Sequence, residues 1–516
     1  MSTKPTDQAE FSKLRALLWP IHNYEMKKFL PMGLIMFCLL FNYTILRDLK
    51  DSIVVNASGA GTIPFLKGYC VTPAAILFVI LYAKLSNAVD REKVFYYVVT
   101  PFLIFFGFYG FAIHPNVHIL QASAETIASW HQSFPYLSNF NDVVGNWAYS
   151  LFYIMSEIWG SSMIALLFWQ FANQITRMSE SKRFYGLFVV IGNVALIFSG
   201  EFLIRANNKE LIGSMFPGVD PFTIAIQFFM ALVVVFGIAA MALYRWMHTS
   251  VLNDPKYYDE AEASNKPKKK KEKPSLMESA RLIFTSPELG LIAMLIMAYG
   301  VTINLVEVQW KEQIRLYAAG DRNVYAAFMG AFSQWNGIIT IIFSWFIGSS
   351  ILRRFSWFTS AVITPAFMIL GGALFFAFIL FRDSMGDVVS MFFSHEDPAR
   401  SAIVAATFLG FLVVVMSKSI KYSLFDPTKE MAYIPLNDEL RSKGKAAVDV
   451  IGGRAGKSGG ALVQTWLLMA FATKDVLSIA PMTFWTFLAV MIGWIVSVKL
   501  LSKKVDTAVK AKQSAQ

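Results

Sequence analysis

The sequence predicts an all-α integral membrane protein of about twelve transmembrane helices in two six-helix halves. Composition is the first observation behind this. Of 516 residues, 55% are hydrophobic and 16% are charged, and the mean hydropathy is +0.49. A soluble chain of this length could bury a large core with far less apolar sequence. The second observation is the recurrence of apolar runs long enough to cross a bilayer, which takes roughly 20 helical residues. The third is that basic residues collect between those runs, as in cytoplasmic membrane loops.

Taken in order, the runs place span 1 at about Phe29–Leu46, span 2 at Ile63–Leu85 and span 3 at Val94–Ile113. Span 4 follows at Trp147–Phe171, span 5 at Phe184–Ile204 and span 6 at Phe222–Trp246. A polar stretch, Met247 to Met277, then carries Lys-Pro-Lys-Lys-Lys-Lys-Glu-Lys over Lys266–Lys273. Six more spans fall at Glu288–Trp310, Tyr325–Leu352, Trp357–Phe381, Ala402–Tyr422, Ala446–Phe471 and Met482–Leu501. The chain therefore divides into an N-terminal half, 1–250, a basic cytoplasmic linker, 251–284, and a C-terminal half, 285–516. The linker reads as a solvated topological anchor.

Lys and Arg also set the orientation. They cluster before span 1 (Lys4, Lys13, Arg15, Lys27, Lys28), after span 2 (Lys84, Arg91, Lys93) and after span 4 (Arg177, Lys182, Arg183). They recur in the linker, after span 10 (Lys429, Arg441, Lys443, Lys445) and at the C-terminus (Lys503, Lys504, Lys510, Lys512). The loop His114 to Asn146 holds none. Both termini are expected to be cytoplasmic. The first apolar run lacks a small-residue cleavage site, so no signal peptide is expected. The short N-terminal lead favours a bacterial inner membrane over an organelle.

The same pattern excludes other classes. The net charge of +11 is spread between apolar runs and does not suggest a nucleic-acid partner. Cys38 and Cys70, near the first two spans, imply neither a disulfide framework nor a zinc site. The six histidines fall in predicted loops, without a metal cluster. No metal or cofactor is expected, and no nucleophile, base or metal set marks an enzyme.

The halves resemble a weak internal repeat. Val190-Ile-Gly-Asn-Val-Ala-Leu-Ile-Phe-Ser-Gly200 in span 5 parallels Val450-Ile-Gly-Gly-Arg-Ala-Gly-Lys-Ser-Gly-Gly460 in span 11. The charged turn at Asp90–Lys93 after span 2 parallels Arg353-Arg354 after span 8. By analogy the architecture is major-facilitator-like, with a substrate at the interface of the halves near the midplane.

Ionisable residues inside the spans are the candidate site, because lipid does not tolerate them without a role or a partner. In span 1, Tyr43, Arg47 and Lys50 share one face within Arg47-Asp-Leu-Lys-Asp51, close enough to the end of the apolar run for snorkelling to compete with function. Span 4 carries Glu157, with Tyr153 one turn earlier, and span 7 carries Asn304 and Glu307. A structural salt bridge is the competing reading for both acids. Span 11 carries Arg454 and Lys457, three apart and beside a stripe of Gly452, Gly456 and Gly460. A cation there costs roughly 2.5–3.5 kcal/mol on insertion scales. The string looks like a phosphate-binding loop, but only three residues separate Gly452 from Gly456 and no soluble strand precedes it. Lys457 is therefore read as lining a path through the membrane. Several cations in one cavity suit a multiply anionic, phosphorylated substrate. Two acids beside them permit a switch, pairing with the lysines when the site is empty and yielding them to an anion.

Five strings then carry a family resemblance: Phe41-Asn-Tyr-Thr-Ile-Leu-Arg-Asp-Leu-Lys-Asp51, Leu167-Phe-Trp-Gln-Phe-Ala-Asn-Gln-Ile-Thr176, Tyr299-Gly-Val-Thr-Ile-Asn-Leu-Val-Glu-Val308, Lys421 to Leu436 and Gly453-Arg-Ala-Gly-Lys-Ser-Gly-Gly460. The chain resembles the ATP/ADP translocases of obligate intracellular bacteria and plastids, nearest the bacterial ADP,ATP carrier type. The resemblance implies counter-exchange of ATP for ADP by alternating access, with import of host ATP. It carries the family's functional charges onto Lys50, Glu157, Glu307 and Lys457. Leu49 stands where the family often has Thr. Transported ATP and ADP, with phosphate as a further candidate, are the expected partners besides the bilayer. Arg47, Lys50, Arg454 and Lys457 are expected to contact phosphate, and Glu157 and Glu307 to couple binding to movement, with Asn304 also in the site. The alternative within the family is a proton-coupled or net importer of other nucleotides.

Overall fold

The computed structural model describes residues 19–258, 285–392, 397–433 and 452–514, with a few isolated positions beside them. The Lys266–Lys273 run and Arg441 and Lys443 lie outside the described residues, as do the side chains of Arg454 and Lys457.

Among the described residues, twelve long helices form one bundle. The first six are α1 (Met26–Ser58), α2 (Thr62–Ala88), α3 (Glu92–Leu120), α4 (Trp147–Ile175), α5 (Met178–Ala206) and α6 (Pro221–Val251). The second six are α7 (Pro287–Tyr317), α8 (Arg322–Leu352), α9 (Trp357–Leu380), α10 (Pro398–Ala432), α11 (Gly453–Ala470) and α12 (Ala480–Ser514). Eleven contain segments long and apolar enough to cross a membrane, so the chain is a multi-pass membrane protein. The exception is α11, whose first turns are glycine and charge.

Packing repeats with a shift of six helices. α1 packs on α4, α5 and α6, and α7 packs on α10, α11 and α12. α3 meets α6 as α9 meets α12. The two sets join through α5 against α8 and α11 against α2, again counterparts. Widened turns with π-type hydrogen bonding fall in two counterpart pairs, α2 with α8 and α4 with α10, and in α3 and α6 without a match in the described residues of α9 and α12. They occur at Leu66–Val71 in α2 and Phe343–Gly348 in α8, and at Met163–Phe168 in α4 and Lys421–Phe425 in α10. α3 and α6 each carry one as well. The repeat faint in the sequence is thus plain in the packing.

Two departures from expectation bear on the site and the bundle end. The apolar run of span 1 ends at Leu46, yet α1 continues to Ser58. Arg47, Asp48, Lys50 and Asp51 therefore stand inside the bundle, and Asp48, Lys50 and Asp51 are buried. Snorkelling is excluded for them, because their charges have partners in the protein rather than a route to the interface. The loop His114 to Asn146 is also largely helical, with Ala124–Ser133 and Ser138–Gly145 folded over the bundle end. His114 is buried there, not in a solvated loop, and His248 lies in the last turn of α6.

Glycine sets the closest helix approaches. A Cβ at Gly456 would stand 3.0 Å from the Met297 Cα, and one at Gly460 3.1 Å from the Val301 carbonyl oxygen. The span-11 stripe thus seats α11 on α7, as small residues do in membranes. Between α5 and α8 the fit is tighter, since a Cβ at Gly200 would come within 2.8 Å of the Gln334 amide nitrogen and nearer still to the Gly330 carbonyl. Both neighbours are backbone, so the helices must separate to admit any side chain. Gly200→Leu is expected to reduce thermal stability in detergent by about 1–3 kcal/mol, the usual cost of overpacking, read as a lower melting temperature with the helical signal retained.

Candidate functional site: a charged cluster where the two helix sets meet

The residues that the bundle brings together come from α1, α4, α7, α8 and α10. Arg47 and Lys50 are three positions apart on α1, so both turn toward the same junction. The Lys50 ammonium lies 2.8 Å from Asp51 and 3.0 Å from Glu157 on α4. It also sits 3.9 Å from the centre of the Tyr153 ring, a cation–π contact one turn below Glu157. Asp51 reaches a second ammonium, Lys311 on α7, at 2.8 Å. One carboxylate thus holds two lysines from opposite helix sets. All three side chains are nearly sealed from solvent, with 2% exposure for Lys50 and Asp51 and 6% for Lys311.

Glu307 is one turn before Lys311 on α7 and pairs with Lys418 on α10 at 2.7 Å. The Lys418 ammonium stands 4.9 Å from the centre of Phe332 on α8. Counterparts again match, with the charges exchanged. In the first set a lysine of α1 pairs with a glutamate of α4, and in the second a glutamate of α7 pairs with a lysine of α10. Arg47 is held by Asp48 at 2.8 Å and donates to the Ser333 hydroxyl on α8 at 2.5 Å, while Ser333 donates to Asp48. Lys421 pairs with Asp426 within α10 at 2.7 Å.

Several expected site residues therefore meet. Arg47, Lys50, Glu157 and Glu307 all belong to this cluster. Asn304 is buried and accepts a hydrogen bond from Gln464 at 3.2 Å, so in this structure it ties α7 to α11. Arg454 and Lys457 stand on the first turns of α11, and the role expected of their side chains lies outside the described residues. Lys67, Lys311, Lys418, Asp48, Asp51 and Ser333 were not among the expected site residues. The i, i+4 spacing of Glu307 and Lys311, and the bare fact of lysines within or flanking apolar runs, were signals that could have found three of them.

Among the described residues, the ion pairs between the helix sets run from the middle of the bundle to the end carrying the Ser58 and Asp321 loops. They are Asp51–Lys311, Lys209–Asp321 at 2.5 Å and the looser Asp220–Arg322 at 3.7 Å. Glu312 on α7 also accepts the Ala60 amide at 3.0 Å, and Asn139 donates to the Thr473 carbonyl at 3.3 Å. At the opposite end, pairs among the described residues such as Lys28–Glu180, Arg183–Glu25 and Lys504–Glu288 lie within one set. The structure is closed at the loop end.

Asp321 lies outside the spans and can be titrated without entering the bundle. Burial would raise its pKa, but the Lys209 ammonium and the amides of Val324 and Asn323 outweigh that and hold it below its ordinary 3.8. A depressed carboxylate stabilises the fold above its unfolded pKa, and that contribution is lost as pH falls through the folded value. Thermal stability is therefore expected to fall more steeply below pH 3.8 in the wild type than in Asp321→Asn, in melting curves at stepped pH.

The family model described as TLC ATP/ADP transporter matches residues 4–505. The chain is 42% identical over 501 residues to ADP,ATP carrier protein 1 of Chlamydia pneumoniae, covering 96% of this chain and 94% of that one. It is 42% identical to ADP,ATP carrier protein 1 of Rickettsia bellii, covering 99% of both. Among solved structures, a bacterial homologue of the iron transporter ferroportin in an inward-facing state superposes with a TM-score of 0.56 at 11% identity, over 92% of this chain and 100% of that one. At that identity the likeness speaks for a shared fold only.

Proposed function

Because the chain belongs to the TLC ATP/ADP transporter family, we propose that it carries ATP and ADP across a membrane in counter-exchange. The observation that carries the reading is the charged cluster itself. Arg47, Lys50, Lys311 and Lys418 converge where the two helix sets meet, each held by a carboxylate. A polyphosphate is the substrate whose charge such a site matches, since ammonium and guanidinium groups bind phosphate oxygens by charge-assisted hydrogen bonds.

Exchange then follows from the cost of stranded charge. With the site empty, Asp51 neutralises Lys50 and Lys311 and so clamps α1 to α7. Separating the helix sets at the loop end would leave a buried ammonium unpaired, at about 3–5 kcal/mol. That is on the order of a hundredfold to several thousandfold in population. A bound polyphosphate supplies the missing counter-charge, so the loaded carrier switches and the empty one does not. Glu157 and Glu307 serve as the internal counter-ions that the substrate displaces from Lys50 and Lys418. Residues 1–250 and 285–516 are the two bodies that rock, joined by 251–284. The termini face the cytoplasm, as the Lys/Arg bias supports, and the chain sits in a bacterial inner membrane. The loop end then faces outward, and external ATP enters as cytoplasmic ADP leaves.

The test uses ATP labelled in both the adenine and the γ-phosphate, offered to proteoliposomes holding ADP. The two labels are expected to enter in equal amounts as intact nucleotide. Adenine entering without γ-phosphate, or phosphate released outside, would contradict carriage of the whole molecule.

A further inference from the structure

Lys67 stands apart from the other cations of the site. It lies on the widened turn Leu66–Val71 of α2, the helix that meets α11. Its neighbour Gly68 faces Leu462 of α11, and the Thr72 hydroxyl that caps the Lys67 carbonyl at 2.8 Å comes within 3.4 Å of the Ser458 hydroxyl. Insertions of this kind into an α-helix are frequent at functional positions. The widened turn packs on α4, the helix that carries Glu157, and the Lys67 ammonium lies within Coulombic reach of Glu157, Glu307, Lys50 and Lys311. Arg47, Lys50, Lys311, Lys418 and Lys421 each have a carboxylate within 3.0 Å. Among the described residues, Lys67 has no ion-pair partner, and its side chain is only half-buried.

That difference assigns a role. A phosphate approaching Lys50, Lys311 or Lys418 must first displace a carboxylate. One approaching Lys67 displaces only water. The geometry points to Lys67 as the cation that first receives the polyphosphate of the nucleotide and holds it while Glu157 and Asp51 release their lysines. This rests on the exchanger reading of the same site and adds to it a substrate-contacting residue on α2. The contact is to phosphate oxygens, so it is shared by ATP and ADP and absent for adenosine.

Two measurements test it. In ADP-loaded proteoliposomes, Lys67→Gln is expected to raise KM for both ATP and ADP by about tenfold or more, the worth of a hydrogen bond to a charged group. Lys67→Arg is expected to restore most of the affinity. An unchanged KM in Lys67→Gln, or a fall in maximal rate alone with no rescue by Lys67→Arg, overturns the assignment. The second measurement needs no variant. The purified wild-type protein in detergent is treated with a water-soluble amine-acylating reagent, and modification of Lys67 is read by peptide mass spectrometry. ATP and inorganic tripolyphosphate are expected to protect Lys67 several-fold, and adenosine to leave it reactive. Equal labelling with and without polyphosphate overturns the assignment, even where Lys67→Gln fails to reach the membrane. Absence of exchange by the wild type would instead sink the functional reading, and the protection experiment would still decide whether Lys67 binds polyphosphate.

Discussion

Lys50→Met is expected to abolish ATP/ADP exchange and to destabilise the protein by about 3–5 kcal/mol, the cost of removing one partner from a buried ion pair. Lys50 is 2% exposed and is the only described cation that touches two carboxylates in the bundle core, Asp51 and Glu157. Without it Asp51 keeps Lys311, but Glu157 loses its one ion pair. Glu157 is more open, at 31% exposure, so part of the charge left behind can be hydrated. The double variant Lys50→Met/Glu157→Gln removes both charges of that pair. It is expected to recover stability relative to Lys50→Met while remaining inactive. Thermal melts in detergent with exchange assays on the same preparations separate the two effects. Stability unchanged in the single variant would mean that the pair is solvated, and exchange retained would remove Lys50 from the site.

Asp51→Asn should have an effect of similar size and opposite kind. Asp51 is the carboxylate between Lys50 and Lys311, and it closes the cluster across the two helix sets. The amide leaves Lys311 buried without its counter-ion whenever the loop end is shut, while Lys50 keeps Glu157. The penalty on the closed form, about 3 kcal/mol, is on the order of a hundredfold in population. The variant is expected to favour the form open at the loop end and to let the empty carrier switch. A cysteine placed at Ser333, whose hydroxyl lies between Arg47 and Asp48, should then become reactive toward an impermeant thiol reagent. Uptake into vesicles holding no nucleotide should appear. An Asp51→Asn protein as unreactive at that cysteine as the parent, and as dependent on internal nucleotide, would show that the bridge does not gate.

Much of the fold was legible because a membrane helix declares itself by length and apolarity. The reading fell short where polar residues belong to the interior. Span 1 ended at Leu46 because Arg47, Asp48, Lys50 and Asp51 break the hydropathy, yet α1 runs on to Ser58 with these groups paired inside the bundle. α11 was legible as span 11 despite the glycines and charges of its first turns, and those glycines seat it against α7. At the site, Glu157 and Glu307 were visible because an acid within an apolar run has few bland explanations. Lys311 and Lys418 were not. Each lies close to the end of a run, where a lysine reads as an interfacial anchor, and only the three-dimensional pairing with Asp51 and Glu307 separates the two roles. Pairing between residues hundreds of positions apart has no local signature. The symmetry relating Lys50–Glu157 to Lys418–Glu307 appears only once α1, α4, α7 and α10 are seen as counterparts.

The measurement that bears most directly on the account is uptake of labelled ATP by purified protein in proteoliposomes that are empty or preloaded with ADP, ATP, GTP or UTP. An Asp51–Lys311 bridge that opens only when phosphate replaces the carboxylate predicts uptake with internal ADP or ATP and almost none without. Uptake of equal rate into empty vesicles would contradict obligatory exchange and place the chain among net importers. Uptake driven as well by internal GTP or UTP would leave exchange standing and contradict selectivity for ATP and ADP.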